Sequence, residues 1–125
     1  MAKVFDLERR TTDYARAVIR MCLSLPRSPI NDRLVSQLVG ASGSVGASYR
    51  EANDALGDKD FAQRLKIARR EAKESLHWLE LTLEANADRK TEIIQLMNES
   101  EELKNILSAI ILKSQKKEAT TNKTT

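Results

Sequence analysis

Glu74 and His77 stand three residues apart in a helical pattern, the spacing with which carboxylate and imidazole ligands hold iron inside helix bundles. Such a centre needs two motifs of this kind and two further glutamates, and His77 is the single histidine of the chain. A metal site would have to be assembled across subunits, so no metal or other cofactor is expected, and His77 reads as a surface or interface residue. Cys22 is the single cysteine. It falls on the apolar side of a helical pattern, where a buried structural thiol belongs. No intramolecular disulfide can form, and nothing points to an oxidising compartment. The glycine-rich stretch 40–46 lacks the Lys-Ser/Thr that follows a P-loop, and no Gly-x-Gly-x-x-Gly or nucleophile motif is present. Enzymatic activity and a small-molecule substrate are not expected.

The stronger chemical signal is cationic. Arg64, Lys66, Arg69, Arg70 and Lys73 crowd the first half of one helical pattern, with Arg50 and Lys59 close in sequence. Side chains of this type contact phosphates and release counterions from a nucleic acid. Aromatic residues interleaved with the cations would add base stacking. Only Tyr49 stands nearby, so recognition by charge and shape is expected rather than by sequence. The competing reading is a solvated face whose cations pair with Glu71 and Glu74 at helical spacing. The formal net charge is +3, unevenly spread. Residues 1–79 carry a net +4, residues 80–112 a net −4 and residues 113–125 a net +3. An oriented electrostatic surface follows from such asymmetry.

The elements that carry these residues are helices. Phe61, Leu65, Ala68, Ala72, Leu76, Leu79 and Leu83 recur at spacings of three and four, one apolar stripe of a long third helix from Asp58 or Asp60 to about Ala85. A first helix starts near Phe5 or Asp6, ends near Leu23, and buries Leu7, Tyr14, Val18 and Cys22. Arg9, Arg10, Arg16 and Arg20 look outward from it. Pro26 and Pro29 end that helix. A second helix starts at Asn31 or Asp32, either of which can cap it. It runs through Gly40, Gly43 and Gly46, each costing about 1 kcal/mol against alanine. The alternative is a loop across 40–46. Small residues here would let a neighbouring backbone approach closely. A turn follows at 53–57, and a fourth helix extends from about Arg89 to Ser114.

Four helices with short connections predict an all-α, up-down-up-down antiparallel four-helix bundle over residues 1–114. Residues 115–125 have little apolar content and read as a disordered basic tail. Ile67, Trp78 and Leu81 lie off the main seam of the third helix and need a further partner. Gly43, Ala47, Tyr49 and Glu51 join them as the expected homo-oligomer interface. Glu51, placed among small residues, reads as an interfacial carboxylate that needs a bonded partner. No run of about 18 apolar residues suits a membrane span, so no membrane association is expected. The charged N-terminus is no signal peptide. A cytoplasmic protein is the expectation.

The stretch QLVGASGSVGASYREAND and the following DFAQRLKIARREAKESLHWLELTLE resemble the four-helix family named for proteins encoded in intervening sequences of bacterial large-subunit rRNA genes. Ser44, Val45 and Glu51 match its second-helix motif, whereas Ser48 stands where asparagine is usual and Ala52 where glycine is usual. Asp60, Phe61, Arg64, Leu65, Glu71, Trp78 and Leu79 match its third-helix pattern. The resemblance implies a ring of four-helix protomers, typically a homopentamer. It is similar also to the accessory variability determinant proteins of diversity-generating retroelements, which implies RNA as a ligand and a reverse transcriptase as a partner. The expectation is a non-enzymatic, pentameric accessory protein that binds nucleic acid, structured RNA above DNA. Its contacts would be Arg50, Lys59, Arg64, Lys66, Arg69, Arg70 and Lys73. The alternative is an oligomeric protein-binding scaffold without nucleic-acid binding.

Overall fold

The structure, a computed structural model, describes residues 6–124. Helix α1 spans Leu7–Leu23, α2 Pro29–Asn53, α3 Asp58–Ala85 and α4 Lys90–Thr124, with a 3-10 turn at Ala87–Arg89 before the last. No strand occurs among the described residues. The start of α1 is fixed by Asp6, whose carboxylate accepts the Arg9 amide at 3.0 Å; a start at Phe5 lies outside the described residues. The cap of α2 differs from the expected one. Ser28 accepts the Asn31 amide at 3.0 Å and Pro29 occupies the first turn. Proline suits that position because its missing N–H would have no intrahelical partner there. Asn31 is thereby freed for another bond.

The helices run antiparallel in sequence order. Arg64 near the start of α3 pairs with Glu51 near the end of α2 at 2.9 Å. At the other end Asn31 of α2 meets Asn86, which follows α3. Neighbouring helices lie side by side, and α3 packs most extensively, against α2 and α4. α1 is the shortest of the four, at 17 residues, and is held more lightly. Leu7, Tyr14, Val18, Leu38, Val45, Leu65, Leu79, Leu103 and Leu107 form the core, with Met21 and Thr11 buried beside the anticipated residues of α1. Arg10 does not look outward. Its guanidinium donates to both Glu99 oxygens at 2.8 Å and reaches Glu102 at 3.2 Å, which ties α1 to α4. These bonds, the Glu99 pair above all, hold its pKa above the usual arginine value against the opposing effect of burial.

The glycine stretch of α2 is helical throughout. Only Gly46 faces a close neighbour. A Cβ there would lie 2.9 Å from Thr11 Oγ1 and 3.3 Å from Thr11 Cβ. The close approach anticipated for small residues thus occurs within the protomer, where α1 crosses α2. Thr11 cannot easily yield, because its hydroxyl donates to the Leu7 and Glu8 carbonyls at 2.9 and 3.0 Å. Gly46→Ala should destabilise the protein by about 1–3 kcal/mol through overpacking, outweighing alanine's better helix propensity. Adding Thr11→Ala should recover most of that loss in urea denaturation. Equal stability of the single variant and wild type would remove the argument.

At its far end α4 continues past Ser114 to Thr124, where the sequence reading placed a disordered tail. Low apolar content argued for disorder, but Gln115, Lys116, Lys117 and Ala119 are good helix formers and no Gly or Pro interrupts them. Lys117 approaches Asp58 at 3.8 Å, and the Thr120 hydroxyl donates to the Lys116 carbonyl at 2.9 Å.

Candidate nucleic-acid interface

The core stripe of α3 buries Ala62, Leu65, Ala68, Ala72, Ser75, Leu79 and Thr82. Helical geometry turns residues 59, 66, 70 and 73 to the opposite side. Lys59, Arg70 and Lys73 are exposed and Lys66 is half-exposed. Among the described residues no carboxylate comes within ion-pair distance of these four cations. Like charges three and four residues apart repel slightly, so the protomer itself gains nothing from the arrangement.

The other three predicted contacts are placed differently. Arg64 lies on the α2 side of α3, bonded to Glu51 at 2.9 Å and to Asp60 at 3.3 Å. Arg50 reaches Glu8 at 3.1 Å and the Thr12 hydroxyl at 3.2 Å. Arg69 points toward α4, where it donates to Ser108 at 3.4 Å. The structure therefore divides the seven residues into an uncompensated stripe of four and three cations engaged in fastening helices together. Spacing alone could not separate them, because Glu8 and Glu51 lie on other helices and only Asp60 stands at helical spacing from its partner, Arg64.

No aromatic ring interleaves with the stripe. Its far end is His77, whose ring meets Trp78 edge-on with centroids 5.0 Å apart. Tyr49 is half-buried and packs on its own core. Glu51 is exposed and ion-paired within the protomer, so it needs no partner copy. Gly43 and Ala47 are exposed on α2, and no atom lies within 4 Å of a Cβ built on Gly40 or Gly43. On the adjoining flank of α3, Ile67 and Trp78 are half-buried and Leu81 is 40% exposed. The Trp78 indole N–H is buried without a hydrogen-bond partner. Burial and the neighbouring Glu74 raise the Glu71 carboxyl above the usual glutamate value, partly offset by Arg70. Among the described residues no cluster of three or more metal-ligating side chains is assembled, and no helix is long and apolar enough to cross a membrane.

The family model of the 23S rRNA-intervening sequence protein matches residues 5–109, from α1 into the middle of α4. The chain belongs to the 23S rRNA-intervening sequence protein family. A crystal structure similar to this family member comes from Bacteroides thetaiotaomicron and is described as a protein with unknown function from the S23 ribosomal protein family. The two share 26% sequence identity and superpose with a TM-score of 0.74, over 85% of this chain and 98% of that one. No curated protein matches. The intervening-sequence family is thus tied by its name to rRNA, and neither description assigns an activity.

Proposed function

We propose that this chain is a non-enzymatic, homo-oligomeric accessory protein that binds structured RNA through the outer face of α3. The observation that carries this reading is the stripe of Lys59, Lys66, Arg70 and Lys73, exposed or half-exposed and uncompensated within the protomer. Its members fall along one helix side, so they can follow a phosphate backbone. Without stacking aromatics the contact favours a folded or double-stranded RNA over an unpaired strand. The test is binding of a labelled RNA hairpin and of a single strand of equal length, each against salt. Tighter, salt-sensitive hairpin binding is expected; equal binding of both, or none, would refute the reading.

The oligomer in this proposal is a ring, a pentamer by the family resemblance, closed through the α2 flank. Gly40 and Gly43 each cost helix stability, and no neighbour in the protomer uses the space above them. Gly43→Leu should therefore collapse the mass in light scattering to that of one chain. The same change should stabilise the protomer by about 0.5–1 kcal/mol through helix propensity. An unaltered mass would exclude this face.

A second reading, a protein-binding scaffold, is favoured by the acidic second half of α3, where Glu80 and Glu84 are exposed without an ion-pair partner. A reverse transcriptase is the partner that the resemblance implies. Its co-purification after nuclease treatment would support this reading.

A further inference from the structure

The exposed side of α3 is segregated by sign along its length. Lys66, Arg70 and Lys73 precede His77, and Glu80 and Glu84 follow it, at alternating steps of four and three residues. That alternation keeps all six on one seam of a helix. Lys66 is half-exposed and the other five are exposed. None forms an ion pair with another described residue. Two exposed blocks of opposite charge on one straight element are self-complementary when a second copy lies antiparallel to the first.

A register centred on His77 satisfies the charges. With the two-fold axis at His77, Arg70 falls opposite Glu84 of the second copy and Lys73 opposite its Glu80, equidistant from the axis to within one residue. Lys66 then faces the connection after α3, where Asp88 is exposed, although 3.8 Å from Arg89. A shift of one helical turn in one sense keeps Lys66 opposite Glu84 and Arg70 opposite Glu80 but sets Lys73 against His77; in the other sense it carries Lys66 beyond the connection that follows α3. Leu81, 40% exposed beside the seam, gives each copy one apolar contact. Glu74 sits on the shoulder of the seam toward α2, off the line of contact.

We infer that α3 pairs with α3 of a second copy, antiparallel about His77, so that the acidic half of one copy covers the cationic half of the other. This surface is distinct from the Gly40–Gly43 flank, and the inference does not rest on RNA binding. Exposed ion pairs contribute little individually and are screened by salt, so the pairing is weak and reversible. Where both readings hold, a polyanion and the second copy compete for the same cations, and self-pairing keeps the stripe covered until a nucleic acid displaces it.

Disulfide trapping tests it without any nucleic acid. Helix axes 8–10 Å apart bring facing positions near the axis within the reach of a disulfide. The protein carrying His77→Cys should cross-link between copies in about 20 mM salt. The rate should fall at least about tenfold in 500 mM salt. Cys22 will not interfere, being buried, with burial pushing its thiol up to about 11. In that background Lys66→Glu/Arg70→Glu/Lys73→Glu makes the seam wholly acidic and Glu80→Lys/Glu84→Lys makes it wholly basic. Neither should cross-link with itself; the two mixed should cross-link at least as fast as the parent. No cross-link in the parent, self-linking of either charge variant at the parent's rate, or no mixed product would each overturn the inference. Circular dichroism of each variant verifies its fold, and the failure of RNA binding would leave these results untouched.

Discussion

The triple variant Lys66→Glu/Arg70→Glu/Lys73→Glu is expected to bind a structured RNA at least about a hundredfold more weakly than the wild type. The figure follows from losing three phosphate contacts of about 1 kcal/mol each, at 1.4 kcal/mol per tenfold change. The salt dependence should flatten as well, by about one unit of slope per lost contact. Thermal stability should move little, since none of the three side chains has an ion pair among the described residues to lose and two are exposed. The informative contrast is Arg50→Gln or Arg64→Gln. These cations already bind Glu8 or Glu51 and Asp60, and neutralising one should reduce affinity by less than about threefold. Equal losses in all the variants would mean that net charge alone matters. The stripe would then have no role of its own.

The largest effect on stability is expected at Asn86. It and Asn31 form a buried, reciprocal amide pair: Asn31 Nδ2 donates to Asn86 Oδ1 at 3.0 Å, and Asn86 Nδ2 donates back to Asn31 Oδ1 at 2.9 Å. The same two nitrogens also donate to main-chain carbonyls, Asn31 to Pro26 and Asn86 to Thr82, each at 2.9 Å. Four bonds thus join the α1–α2 loop, the first turn of α2 and the last turn of α3. Asn86→Leu leaves the Asn31 amide oxygen without its donor and removes one acceptor of its nitrogen. Each orphaned buried group costs about 1–3 kcal/mol, so a total of about 3 kcal/mol is expected. That corresponds to a melting temperature lower by about 10 °C for a chain of this size. Asn31→Leu should cost a similar amount. The double variant should cost less than the two singles together, because no amide is then stranded. Additive losses in the double-mutant cycle would show that the two side chains act independently.

Much of this architecture was legible in residue spacing. The seam of Leu65, Ala68, Ala72 and Leu79 is periodic enough to define α3, and Pro26 with Pro29 separates α1 from α2. The long-range partners were not legible. Asn31 looked like a helix cap because asparagine caps well, but Ser28 followed by Pro29 is the better start signal, and the partner of Asn31 lies 55 residues away. Thr11 gave no apolar signal, yet it is buried because Gly46 leaves room for it. The same limit governed the cations. Their density was visible in sequence, but which of them were already neutralised depended on Glu8 and Glu51, carried on other helices.

The light hold on α1 implies an order of events when the native state fluctuates. The helix is short, its contact with α4 is thin, and the link to α2 is brief. Amide hydrogens of α1 should therefore exchange with heavy water as one cooperative unit, at a lower free energy than those of α2, α3 and α4. A bundle that can release a quarter of its wall while keeping the remainder closed has a built-in site for trading that segment with an identical neighbour.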